Sequence, residues 1–184
     1  DEFAHKVCFQ PHIVYLANSS ALKIGITRIV NMPTRWLDQG ATQALPILKV
    51  GSRRLSGHLE TLFGTQIADK TDWRKLLKGE AEPLNLIEQR DQILEEFAPK
   101  IQTIRDEFSQ NLEFNEELEF LEHELPKEFI YPVEQYPEKI KSLNLDKTPK
   151  IRGVLHGIKG QYLLLDIGVI NIRKYTGYEM ILRT

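Results

Sequence analysis

The sequence predicts a mixed α/β chain in three parts. A small antiparallel sheet flanked by helices spans residues 11–82, an acidic helical connector spans 83–149, and a small C-terminal β-sheet or barrel spans 150–184; residues 1–10 are an N-terminal remnant. Three observations predict this. Apolar residues alternate with period two over residues 12–28, the pattern of a half-buried hairpin. Charge is segregated: residues 1–82 carry 11 Lys/Arg and 8 Asp/Glu (net +3), residues 83–150 carry 8 and 16 (net −8), and residues 151–184 carry 5 and 2 (net +3). Past residue 150 short apolar runs punctuated by glycine replace the helical period.

In the hairpin, His12, Val14 and Leu16 share one face and Ile13, Tyr15 and Ala17 the other. The second strand divides into Leu22, Ile24 and Ile26 against Lys23, Gly25 and Thr27. A loop of Asn18-Ser19-Ser20 would pair Ala17 with Ala21, set Tyr15 opposite Lys23 and keep one face apolar. Opposed side chains then lie about 5 Å apart at Cβ, and Gly25 leaves room beside Tyr15. An ordinary hairpin with an exposed Tyr and Lys fits the same pattern, so later residues must decide.

Pro33-Thr34 can start a helix through Arg35 and Trp36 to about Leu45, with Gly40 unfavourable in its later half. Pro46 ends it, and Ile47–Val50 reads as a strand. Ser52 is a candidate N-cap for a helix over about Arg53–Ala68. Its inner stripe is Leu55, Leu59 and Leu62, with Gly57, Glu60 and Gly64 on an adjacent stripe. Glu60 is thus a carboxylate flanked by positions without side chains, which suits a metal and a phosphate, or equally close helix packing with Glu60 at the rim. A short helix begins at Thr71, its cap, and is closed by Gly79. Its Arg74, Lys75 and Lys78 either meet backbone phosphates or form a solvated basic face.

Over 84–125 the residues Leu94, Phe97, Ile101, Ile104 and Phe108 form a seam that docks on a neighbouring domain or makes a dimer contact. Pro99 should kink or break that helix. Residues 126–150 look like an extended connector. Four strands are expected at 151–156, 161–165, 168–173 and 178–182, with Tyr162, Arg173, Lys174, Tyr175 and Tyr178 either stacking bases or covering a small core.

These residues resemble the GIY-YIG nuclease superfamily. Ile13-Val14-Tyr15 corresponds to the first motif, Lys23-Ile24-Gly25 to the second, Arg35 to the helical arginine and Glu60 to the metal-binding glutamate. Ile13 replaces the first motif glycine, and Lys23 stands where most of the superfamily has a second tyrosine. The chain also resembles an uncharacterised bacterial domain-of-unknown-function family, through 14–19, 23–28, 34–41, 69–75 and 157–163. The likeness to nucleases implies metal-dependent hydrolysis of nucleic-acid phosphodiesters, with DNA favoured over RNA. In that reading Tyr15, Lys23, Arg35 and Glu60 are catalytic. Glu60 holds one Mg2+ or Mn2+, Tyr15 takes a proton from water once the metal or Lys23 lowers its phenol pKa, Lys23 binds phosphate or tunes Tyr15, and Arg35 stabilises the phosphate. Lys23, Arg28, Arg74, Lys75 and Lys78 bind phosphate. The alternatives are a silent nucleic-acid-binding module and a scaffold that binds a protein through residues 84–125.

The single cysteine, Cys8, excludes an internal disulfide and suits a reducing, cytoplasmic setting. With His5 and His12 nearby it reads either as the remnant of a structural Zn2+ site completed in a longer chain or as a free thiol; a start at Asp1 rather than Met suggests a fragment. No 18-residue apolar run is present, so no membrane helix is expected. The absence of a P-loop, a Rossmann fingerprint, an HExxH motif and a serine elbow leaves those enzyme classes without support.

Overall fold

A computed structural model describes residues 2, 8–67, 72–79, 81–109 and 117–183. It is a mixed α/β structure with two small antiparallel sheets. The first strand, β1 (His12–Asn18), is central: β2 (Leu22–Arg28) pairs on one side and β3 (Gln43–Val50) on the other. β1 is buried along its whole length, because both sheet faces are covered. Val14, Leu16 and Ile24 pack on one side with Leu45, Leu48 and the helices described below. On the other side Ile13, Tyr15 and Ala17 pack with Trp36 and Ala44.

The hairpin register differs from the expected one by two residues. Tyr15 pairs with Gly25, and Ala17 with Lys23, so the turn is Ser19–Ala21. A shift of two keeps every side chain on its face, so the hydrophobic pattern cannot distinguish the two registers. The glycine decides: a Cβ on Gly25 would lie 2.7 Å from Tyr15 Cζ and Oη, so the tyrosine ring crosses directly over this position.

Helix α1 is only Thr34–Asp38, not the longer element expected to Leu45. Gly40 has φ +69° and reverses the chain. The residues after it enter β3, which runs through Pro46. Pro46 is compatible with the strand because the β1–β3 register shifts at Val14/Tyr15, next to its partner, and a bulge tolerates a missing N–H. Helix α2 (Arg53–Phe63) is capped as expected, with Ser52 accepting a hydrogen bond from the Leu55 N–H at 3.1 Å, but it ends at Phe63 with Gly64 as its C-cap; residues 64–67 of the expected helix form a turn, and Ala68 lies outside the described residues. Helix α3 (Trp73–Lys78) is capped by Asp72, whose Oδ1 accepts from Arg74 N at 2.9 Å, and it ends at left-handed Gly79. Thr71, the expected cap, lies outside the described residues.

Helix α4 (Leu86–Ser109) includes Pro99 without a break in its assignment. Its seam is internal: Phe97, Ile101 and Phe108 are buried in the same core as α2, and Phe97 meets Phe63 edge-on at 5.3 Å. The segment between α4 and the C-terminal sheet is also more than a connector. β4 (Leu118–Phe120) and β5 (Lys127–Glu128) both pair with β3. Buried Asn18 and Gln43 fasten the chain ahead of α4, donating to the carbonyls of Glu82 (2.7 Å) and Leu84 (3.2 Å).

The second sheet is β6 (Leu155–Lys159), β7 (Tyr162–Leu165) and β8 (Gly168–Asn171). The expected fourth strand is not formed among the described residues: Asn171 caps a 3-10 turn over Ile172–Tyr175, and Ile181 and Leu182 are exposed. The second sheet packs against α3 and the turn after α1. Leu76 and Leu77 of α3 share a core with Leu164 and Val169. A Cβ on Gly160 would lie 2.9 Å from the Asp38 carbonyl oxygen. Among the described residues no helix is long and apolar enough to cross a membrane.

Candidate active site

β2 is the edge strand of the first sheet, and a cavity of about 470 Å3 runs along it. Strand alternation, the turn after β2 and one face of α2 bring the lining together. Tyr15, Lys23, Arg35 and Glu60, which come from four different elements, all line it. Arg28 at the end of β2 and Arg53 at the start of α2 join them, so one carboxylate, Glu60, stands among four cations.

The Tyr15 ring is fully buried, packs edge-on against Trp36 at 5.8 Å and donates its hydroxyl to Gln39 Oε1 at 3.0 Å. Burial pushes its phenol pKa up; the Arg35 guanidinium and the Gln39 hydrogen bond oppose this only in part, and the Glu60 charge adds to it. The protein's own groups therefore favour the protonated phenol at Tyr15. The low dielectric around a buried ring penalises phenolate more than one neighbouring guanidinium favours it.

His12 is a lining residue that the motif comparison passes over. Its Nδ1 lies 2.6 Å from the Gln10 carbonyl. A carbonyl only accepts, so Nδ1 carries the hydrogen and Nε2 keeps its lone pair. Burial lowers the His12 pKa, and the charges of Arg53 and Arg28 lower it further against the raising effect of the Gln10 hydrogen bond. Arg53 was legible only as the start of a helix. Its spacing of seven from Glu60 places both on one face of α2, and its guanidinium lies 3.1 Å from where a Gly57 Cβ would be. A side chain at Gly57 would crowd that arginine.

Arg74, Lys75 and Lys78 on α3 do not line this cavity. Arg74 instead packs its guanidinium over Trp73 at 4.5 Å, and all three are exposed. Cys8 is half-buried, and among the described residues no group of three or more His, Cys, Asp or Glu could hold a metal; His5 lies outside them. A structural metal of the zinc type needs about four ligands. Glu60, a single carboxylate, could at most supply one oxygen ligand to a hard divalent cation that keeps most of its waters.

Two further cavities adjoin this one through Arg35. One of about 330 Å3 shares Lys23, Arg35 and Gln39 with it, and the other, of about 740 Å3, shares Asn31 and Arg35. A family model described as Protein of unknown function (DUF2797) matches residues 1–180. No curated protein and no solved structure matches the chain.

Proposed function

We propose that this chain, which belongs to the family described as Protein of unknown function (DUF2797), binds a nucleic-acid phosphodiester along β2 and hydrolyses it with the help of one divalent metal ion. The observation that carries the reading is the convergence of Tyr15, Lys23, Arg35 and Glu60 on one cavity with a single carboxylate among four cations. The likeness of these positions and their flanking residues to the GIY-YIG motifs supports it, with Ile13 in the first motif and Lys23 in the second as the departures.

The chemistry follows from the side chains. Lys23, Arg28, Arg35 and Arg53 attract the phosphate and offset its charge, which grows as the phosphorus becomes pentacovalent. Arg35 matches two phosphate oxygens with its planar fork. Glu60 would hold an Mg2+ or Mn2+ ion, which supplies Lewis-acid polarisation of a phosphoryl oxygen when bound. Tyr15, kept protonated, orients oxygen atoms by donating a hydrogen bond. His12 Nε2 is the lone pair in the cavity suited to take the proton of the attacking water near neutral pH. The P–O ester bond breaks as the water oxygen bonds to phosphorus; its electron pair leaves on the strand's ester oxygen, which takes a proton from solvent.

Glu60→Gln keeps the size and hydrogen-bonding capacity of the side chain but removes its charge. Cleavage of a panel of single-stranded, duplex and branched DNA and RNA with Mg2+ or Mn2+ should fall on the order of 10²-fold or more, with binding in chelator nearly intact. Wild-type cleavage rates in Glu60→Gln would refute the assignment. A second reading, binding without cleavage, is favoured by one observation, the excess of cations over carboxylates in the cavity. Salt-dependent binding with no cleavage of any substrate by the wild type would select it.

A further inference from the structure

The two cavities beyond Arg35 have a composition that phosphate binding alone does not explain. The smaller is walled by Trp73 and Tyr162 and closed by Arg173; the larger adds apolar Ile158 and Leu163 beside Tyr162 and Arg173. The Trp73 and Tyr162 rings are within 3° of parallel with centroids 6.2 Å apart, an offset stack. Arg74 lies over Trp73, so the indole already has a neighbour on either count. Tyr162 is half-exposed and lines both cavities, so its phenol ring is the surface that remains for a ligand. Arg35 and Arg173 border the same space, and Asp38 is its carboxylate. Two guanidiniums, an aromatic platform and a single hydrogen-bond-accepting carboxylate match one phosphate, one base face and one base edge. The larger cavity, about 740 Å3, lies within the roughly 300–1,000 Å3 usual for small-ligand sites.

We propose that the Trp73–Tyr162 stack with Arg173 is the second half of the binding site and takes an unpaired nucleotide of a nucleic-acid strand, whose phosphate reaches Arg35 and the β2 cavity. This rests on the phosphodiester reading and names its substrate class. A base within a duplex has both faces occupied by its neighbours, so only an unpaired base offers a face to Tyr162. The placement also gives the C-terminal sheet a role. Its packing on α3 and Gly40 fixes Tyr162 and Arg173 relative to Arg35.

The test is binding of short fluorescein-labelled single strands of DNA and of RNA, and of the matching duplexes, to the whole chain in chelator. Tyr162→Phe should bind a single strand as the wild type does. Tyr162→Ala and Tyr162→Leu should bind roughly ten-fold more weakly, the loss of one stacked base. Leucine still covers the small core, so its loss reports stacking rather than folding. The DNA and RNA arms identify which strand is the natural one, and either satisfies the proposal. Wild-type affinity in Tyr162→Leu would overturn it, as would equal affinity for duplex and single strand, or no binding by the wild type. Because the measurement contains no metal, a chain that binds through Tyr162 but does not cleave leaves this inference standing while the hydrolytic reading fails.

Discussion

His12 heads β1 with Nδ1 committed to the Gln10 carbonyl and its ring buried beside two arginines. A histidine so placed is harder to protonate in the folded chain than in the unfolded one. Its folded pKa lies below the ordinary 6.5, so as pH falls through that value the unfolded chain gains the proton first. Stability should be fully present above about pH 6.5 and decline towards the folded pKa. Melting temperatures measured between neutral and mildly acidic pH should show this decline, and His12→Gln should flatten it. An identical slope in the variant would mean His12 is not the group responsible. Tyr15 and Gly25 illustrate the other constraint at this scale. The phenol reaches Gln39 only because the facing strand has no Cβ there. A motif glycine thus positions a neighbouring side chain as well as shaping the backbone.

At the level of elements, α2 and α4 back the site. α2 presents Leu55, Leu59 and Phe63 to the sheet and turns Arg53 and Glu60 toward β2. α4 lies behind it through Phe97, Ile101 and Phe108. The apolar seam of α4 is therefore spent on the core, which removes the main feature that pointed to a protein-binding scaffold. Phe97→Ala should cost about 3–5 kcal/mol in chemical denaturation, the usual range for a large buried aromatic. A cost under about 1 kcal/mol would show that α4 is not integral to this core. The seam was readable from its spacing of three and four residues. Its partner was not, because periodicity gives the buried face of a helix and not what covers it.

For the molecule as a whole, the net charge of −2 hides a local cationic site. Arg28, Arg35, Arg53 and Lys23 meet in space although they are spread over 31 positions of sequence. Binding to any nucleic acid should weaken steeply with salt, because each neutralised phosphate releases counterions. Arg53→Ala should reduce the slope of log affinity against log salt by about one, and Lys75→Ala on the outer face of α3 should change it less. Equal slopes in the two variants would contradict a site centred on β2. The sequence by itself determined the α/β class, the hairpin and its two faces, the Ser52 cap and the identity of Tyr15, Lys23, Arg35 and Glu60 as candidates. The class, the hairpin and the cap depend on local chemistry or on a spacing within one or two elements, whereas the four candidates come from the likeness to the GIY-YIG motifs. Only the tertiary structure decided the hairpin register, the recruitment of residues 118–120 and 127–128 to the first sheet, the entry of His12 and Arg53 into the site, and the place of Tyr162 and Arg173 beside Arg35. These depend on pairings between residues distant along the chain. A pattern of apolar and polar residues is unchanged by a two-residue slip or by the choice of neighbour, so close packing at positions such as Gly25 and Gly160 selects among the arrangements that the pattern allows.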